Sequence, residues 1–464
     1  LPLNSSHWLN NGTSLKLRLF LLIFFSPLAA AEVLTVVDIA HADAAQVERL
    51  KQVPGDGWWL EMGLQLAIVG RGDAVRAAAS PLTVLGSFDD VDPNYLMLRA
   101  RGCSEHAPEA GRLLAKGGRW ELRQVTADEK QSLLRADEHA WQPVKRNTAL
   151  ARQYRLEPQR ITAPADPGVQ QVVDRIDPAR WFTDVQTLAS WDRSSYGTTE
   201  LDAARDWIAM QFSALGLSDG LQAFTMNGAG GGTITRYNVS GAWIGSSQPD
   251  RWLIVGAHYD SRNASASSTV NTPGAEDNAS GCAGVIELAR ALLPSSPSHS
   301  ILFMCYAGEE QGLRGSAAHV QSLIQAGQLL SVDAVVIMDM IGYSADANLQ
   351  ALYESSASYS PYLLQFGAAA ANYVPQLAVI TSTNPFGSDH VPYLNAGVRT
   401  ALAIENDWDI YPHYHRSTDT PGNMGPNAQP MGAAILKTNA AVIAEIAGLD
   451  IDATPLFDNG FEAQ

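Results

Sequence analysis

The sequence predicts an α/β fold with a mixed, mostly parallel central sheet, helices on both of its faces, and a small α+β domain ahead of it. Three observations carry this prediction. Apolar runs without polar alternation recur at WLIVGAH, ILFMCYA, AVVIMDM and RTALAIE, as expected of strands buried on both faces. Segments with helical spacing lie between and after them, among them SGCAGVIELARALL and QPMGAAILKTNAAVIAEIAG, which is the alternation of βα units. The stretch ITAPADPGVQ, residues 161–170, supplies Pro and Gly at a domain boundary.

The bulk properties suit a globular protein of one to three domains: 464 residues, 46% hydrophobic and 17% charged. A net charge of −17 argues against nucleic-acid binding through a basic face. The three cysteines, Cys103, Cys282 and Cys305, are too few and too scattered for a disulfide framework. Cys282 and Cys305 read as small buried hydrophobes. No CxxC pair is present, which argues against a thiolate zinc site.

In chain order, Lys16 and Arg18 precede LFLLIFFSPLAA, and Ala29, Ala30 and Ala31 close the segment. A basic start, a short apolar stretch and a small-residue end predict a secretory leader over residues 1–31. The stretch is short for a membrane span. The mature protein is therefore expected to be secreted, extracellular or periplasmic, without stable membrane association. Residues 32–165 read as a separate α+β unit. VLTVVD, TVLGSF, NYLMLRA and RWELRQV are predicted strands, WWLEMGLQLAIVG a strand or a pair, and AAQVERLKQV and ADEKQSLLRA helices. His41, His106 and His139 are scattered through it, so it is expected to be a prosegment or packing domain. Over residues 166–450, GTTELDAARDWIAMQFSALG predicts a helix, and LQAFTM and RYNVSGAWIG flank GAGGG as a hairpin-like excursion. GAGGG reads as a turn, since no P-loop lysine follows. The polar tail, 451–464, has no assigned role.

Several apolar runs finish on residues of metal-ligand type. His258 and Asp260 follow one, Glu309 and Glu310 another, and Asp339 a third, while Asp277 lies in the glycine-flanked PGAEDNASG. Parallel sheets place their sites outside the carboxyl ends of their strands. Imidazole and carboxylate suit zinc, and a pair of metal ions needs a bridging carboxylate, a position Asp277 suits. Residues two apart in an extended segment share a side, so Asp260 is expected to accept the second imidazole N–H of His258 and fix its tautomer. Glu309 and Glu310 are adjacent and point differently, so one can ligate while the other serves as general base.

GAHYDS, GAEDNASG, YAGEEQGLRGS, the MDM of VIMDMIGY, SDH and HRSTDT occur in this order. Together they resemble the M28 family of di-zinc aminopeptidases, the bacterial leucyl aminopeptidase type, over roughly residues 175–448. The resemblance implies a secreted aminopeptidase that removes N-terminal residues from peptides and proteins through a bridging hydroxide on two zinc ions. It implies His258 and Asp339 on one zinc, Glu310 and His415 on the other, Asp277 bridging, and Glu309 as general base. Asp260 would orient His258, Ser388 would lie near the metal-bound water, and Asp419 would be a supporting carboxylate. The chain is expected to be a monomer. The alternatives are glutaminyl cyclisation with one zinc, a carboxypeptidase on the same metals, and a non-catalytic binding protein.

For the last histidine, the family pattern selects His415 of HRSTDT over His390 and His413. His299 and His319 lie outside the motifs. Two departures from the pattern stand out. NPFGSDH lacks the Cys-x-x-x-Cys loop and its tyrosine, so Pro385 occupies the oxyanion donor's position. Backbone N–H groups, Tyr343 and Tyr411 are the candidate replacements. Asn278 replaces an aspartate often found after the bridging residue. The sequons at Asn238, Asn263 and Asn278 are of a kind frequent by chance.

Overall fold

The computed structural model describes residues 32–52, 57–100, 110–136, 141–153, 165–265, 267–385 and 387–449. The predicted leader (1–31), the start of the 161–170 junction, the tail (451–464), Cys103, His106 and His139 lie outside the described residues.

The first part of the chain forms strands β1 (Glu32–Asp38), β2 (Trp58–Gly63), β3 (Gln65–Arg71), β4 (Val84–Phe88), β5 (Leu96–Ala100), β6 (Arg112–Gly117), β7 (Trp120–Gln124), β8 (Trp141–Pro143) and β9 (Thr148–Gln153). The second part adds β10 (Ser218–Asn227), β11 (Thr233–Trp243), β12 (Gln248–His258), β13 (His299–Tyr306), β14 (Val332–Met338), β15 (Gln350–Glu354), β16 (Ala378–Ser382) and β17 (Thr400–Glu405). One sheet of 13 strands runs in the order β10-β11-β13-β12-β14-β17-β15-β16-β9-β2-β3-β1-β4, and β6-β7-β5-β8 form a second sheet. The centre of the large sheet, β13-β12-β14-β17, is parallel. β10–β11, β11–β13, β15–β17 and β16–β9 are antiparallel. GAGGG is the turn between β10 and β11, with Gly231 and Gly232 at positive φ, a backbone region glycine enters freely.

Alternation across the pleat divides the central strands between two cores. Leu253, Val255 and Ala257 of β12 and Ala334, Val336 and Met338 of β14 face one core, with helices Ser280–Leu292 and Ala428–Ala447. Ile254, Val335 and Ile337 face the other, with Val320 and Tyr393 from helices Arg314–Gln325 and His390–Asn395. Helix Pro178–Leu188 begins with Pro at its first turn, capped by Asp177, whose carboxylate accepts from Ala179 N and Arg180 N. It buries Trp181 completely, with the indole N–H on the Ser280 carbonyl at 3.0 Å.

Two outcomes differ from the sequence expectation. Cys282 and Cys305, read as unpaired hydrophobes, are joined in a disulfide across Cα atoms 6.0 Å apart. Packing the helix onto β13 brings them within bonding range, a juxtaposition that a count of cysteines does not reveal. The strands of residues 32–153 also do not stand apart from the later ones. β9 pairs with β16 through Ile380↔Gln153, Thr381↔Arg152 and Ser382↔Ala151, and with β2 on its other edge. β2, β3, β1 and β4 thereby extend the same sheet.

Candidate metal centre

The site lies at the carboxyl ends of the parallel strands. His258 is the last residue of β12, Glu309 and Glu310 lie in the turn after β13, and Asp339 follows β14. Asp277 comes from the kinked turn before helix Ser280–Leu292, and His415 from the loop after β17, at φ 51°. Two groups of potential ligands result, His258–Asp277–Asp339 and Asp277–Glu310–His415, each with its donor atoms within 4.8 Å of one another. Asp277 is common to both. Its Oδ1 is 3.4 Å from His258 Nε2 and its Oδ2 is 3.0 Å from His415 Nε2. Asp339 Oδ1 is 3.4 Å from His258 Nε2, and Glu310 Oε2 is 3.3 Å from His415 Nε2.

The surroundings hold each ligand candidate in place. His258 Nδ1 faces the backbone carbonyl of Asp260 at 3.1 Å. A carbonyl only accepts, so Nδ1 carries a proton, and Nε2, turned toward the acidic cluster, is the nitrogen that can ligate a metal once it gives up its own. The Asp260 carboxylate is farther, 3.6 Å from Nδ1. It accepts from Glu309 N and from Ser195 Oγ, so it ties the Glu309 turn to the His258 strand. Ser388 Oγ donates to Asp339 Oδ2 at 2.7 Å. Asp419 accepts from Glu276 N at 2.9 Å, Asp277 N at 3.0 Å and the Tyr411 hydroxyl at 2.7 Å. Its hydrogen bonds thus hold the Asp277 turn. Asn278, buried and joined to Asp277 by a cis peptide bond, donates to the Met338 carbonyl and accepts from Gly281 N and Met340 N.

The competing histidines lie elsewhere. His390 Nε2 is 3.3 Å from Glu354 Oε1, and His413 Nδ1 pairs with Thr418 Oγ1. His319 pairs with the Tyr393 hydroxyl, and His299 lies 3.7 Å from Asp333. Of the candidate oxyanion donors, Tyr411 is engaged with Asp419, and its ring packs 4.7 Å from that of Tyr343. Asn238 and Asn278 are fully buried, whereas Asn263 is partly exposed.

Burial pushes the Glu310 carboxyl up to about 7 and the Glu309 carboxyl well above the carboxylate range. Burial opposes charge on the imidazoles too. Glu310 and Asp277 outweigh it at His415 and hold that ring up to about 10. Glu309 and Asp339 outweigh it at His258 and raise that ring well above its ordinary value. Burial likewise opposes ionisation of Asp277, but the two imidazoles overcome it and hold its carboxyl well below the usual range. Without a metal ion, protons thus occupy a site whose donors suit a dication. Both Glu310 oxygens are buried and accept no hydrogen bond among the described residues. Buried polar atoms of that kind call for a partner, and a nitrogen–oxygen donor set with a shared carboxylate fits zinc.

Sequence reasoning missed Ser195, Glu276 and Arg193. Ser195 links Asp260 to Gly308 N, and Glu276 accepts from Gly342 N and Tyr343 N. Arg193, fully buried, donates to the carbonyls of Leu188, Tyr259, Pro273 and Gly274. Glu276 had a signal, since it adjoins Asp277 as Glu309 adjoins Glu310. Ser195 and Arg193 lie in DRSSYG, outside every ligand motif.

An α/β sheet whose strand ends gather histidines and carboxylates around one shared aspartate defines a metal-dependent hydrolase scaffold. Residues 238–438 match the family model of Peptidase family M28, and this stretch of the chain is similar to that family. A probable zinc metalloprotease of Pyricularia oryzae is 34% identical over 194 residues, 39% of this chain and 38% of that protein. A protein named leucine aminopeptidase 1 of Arthroderma otae is 32% identical over 180 residues, 36% of this chain and 48% of its own. The chain thus spans less than half the length of these two curated relatives. The solved aminopeptidase of Aneurinibacillus sp. strain AM-1 superposes with a TM-score of 0.51 at 17% identity, covering 62% of this chain and 98% of that one. That likeness is one of fold.

Proposed function

We propose that this chain is a secreted zinc-dependent aminopeptidase with two zinc sites that share Asp277. The observation that carries the reading is the division of the Asp277 carboxylate, one oxygen toward His258 and the other toward His415. His258, Asp277 and Asp339 would hold one ion, and Asp277, Glu310 and His415 the other. When bound, zinc supplies Lewis acidity at the scissile carbonyl and makes nearby water more acidic. Glu309, buried beside this set, takes the proton from the attacking water and hands it to the leaving amine. The Asp260 carbonyl and the Ser388 hydroxyl keep His258 and Asp339 from turning away while this happens. The names of the fungal relatives support zinc and an aminopeptidase activity. Export is supported by the leader-like composition of residues 1–31 and by the Cys282–Cys305 disulfide, since such bonds persist in oxidising compartments.

Metal analysis combined with a panel of amino-acid p-nitroanilides, and with peptides blocked at one end or the other, tests this. Two zinc ions per active chain and cleavage that requires a free amino end are expected. One zinc per active chain, or release of carboxyl-terminal residues, would replace the reading.

A further inference from the structure

The β6–β7 turn and β9 meet loops of the candidate centre from outside the matched M28 stretch. The turn between β6 and β7 carries Arg119, which is 2% exposed. Its Nη2 donates to the Gly387 carbonyl at 3.1 Å. The next residue is Ser388, whose hydroxyl holds Asp339. The same guanidinium lies 5.4 Å from the centre of the Trp408 ring. Trp408 meets Tyr414 edge-on at 5.9 Å, and Tyr414 stacks on His415 at 3.9 Å. Arg119 Nη1 is also 4.0 Å from the buried Glu354 carboxylate, which faces His390. One side chain therefore backs a member of each ligand group, Asp339 through Ser388 and His415 through two aromatic rings.

Other contacts fasten the same elements together. Asn384 Nδ2 donates to the Leu150 carbonyl at 2.6 Å, as Ser382 Oγ does at 2.8 Å. Lys116 Nζ reaches Asp409 at 2.9 Å, next to Trp408. A planar guanidinium suits this position because it can donate in its plane to a carbonyl and offer a face to an indole.

We propose that Arg119 is a positioning residue for the metal centre, and that residues 112–153 are a working part of the enzyme and not a removable prosegment. The proposal rests on the reading of Asp339 and His415 as zinc ligands. The test uses the full chain with Arg119→Ala, Arg119→Lys, Ser388→Ala and the double variant Arg119→Ala/Ser388→Ala. Zinc loss to a chelator, kcat and KM on an amino-acid p-nitroanilide, and thermal unfolding are followed. Arg119→Ala should weaken zinc retention and lower kcat by about tenfold, the low end for residues that orient ligands from behind, with KM little changed. Arg119→Lys keeps the buried charge beside Glu354 and should fold even where the alanine variant does not. It should show a smaller loss of the same kind. The double variant should fall short of the product of the two single losses, because both act on Asp339. Wild-type behaviour of Arg119→Lys together with a fully multiplicative double variant would overturn the proposal, as would activity and zinc retention surviving removal of residues 32–153. Should the wild-type chain cleave no anilide, the aminopeptidase reading fails, and the zinc-retention comparison alone decides the role of Arg119.

Discussion

Replacing Asp419 by asparagine probes how the shared carboxylate is held. Asp419 is 1% exposed, its Oδ1 accepts from Glu276 N and the Tyr411 hydroxyl, and its Oδ2 accepts from Asp277 N. An amide has one accepting oxygen. With that oxygen at the Oδ1 position, the amide NH2 faces the Asp277 N–H, donor against donor, across a 3.0 Å gap. The opposite orientation sets the NH2 against the two other donors. In either case a buried donor loses its acceptor, which costs about 1–3 kcal/mol. The strain is relieved most directly by the Glu276–Asp277 turn moving away, and that turn carries the carboxylate common to both ligand groups. At about 1.4 kcal/mol per factor of ten, zinc affinity should fall about 10- to 100-fold, in line with the usual cost of losing an outer partner. Competition against a chromophoric chelator, on wild type and Asp419→Asn side by side, measures this. An asparagine variant that holds zinc as tightly as wild type would show that the hydrogen bonds to the turn do not position Asp277.

Three further outcomes are expected. Glu309→Gln should retain zinc and lose turnover about 100- to 10,000-fold, the range for an essential proton shuttle; a metal-loaded variant with near-wild-type kcat would remove Glu309 from that role. Zinc affinity should rise with pH, because imidazoles held up to about 10 at His415 and well above the ordinary value at His258 must lose protons to bind metal. The sign is opposite for the metal-free protein. A folded pKa raised above the unfolded one gives His415 a stabilising contribution that is complete below its unfolded value of about 6.5 and disappears as pH rises through about 10. Calorimetry of zinc binding at about pH 6 and pH 8 reads the affinity change and the proton release, and equal affinity at both would contradict the assignment. Gly281→Ala would place a Cβ 2.4 Å from Asn278 Oδ1 and 2.7 Å from the Met338 carbonyl. The Asn278 amide donates through Nδ2 to that carbonyl, and Asn278 and Met338 adjoin Asp277 and Asp339 in the chain, so the variant should lose about 1–3 kcal/mol of stability together with zinc retention. Denaturant unfolding with and without zinc would show both.

Much of the centre was legible because ligand chemistry and strand patterning are local properties. His258, Glu309, Glu310 and Asp339 each follow an apolar run, and parallel strands point their carboxyl ends to one edge of the sheet. His415 was the harder assignment. It lies in a loop beside His413 and below His390, and a family pattern selected it, since no periodicity distinguishes loop histidines. The supporting roles were less legible still. Asp419 was expected to be a supporting carboxylate, but its grip on the Glu276–Asp277 turn depends on two loops more than 140 residues apart meeting in space.

The order of apolar runs and ligand residues, by itself, determined the α/β class, the strands that form the centre of the sheet, and the residue types at their ends. It did so because burial on both faces and metal affinity are written in consecutive residues. Tertiary structure alone decided which cysteines meet, that β9 joins β16 and carries the early strands into the main sheet, and that Arg119 stands behind Ser388 and Trp408. These are contacts between segments far apart in the chain. Their energy comes from buried hydrogen bonds and packing that no window of sequence contains.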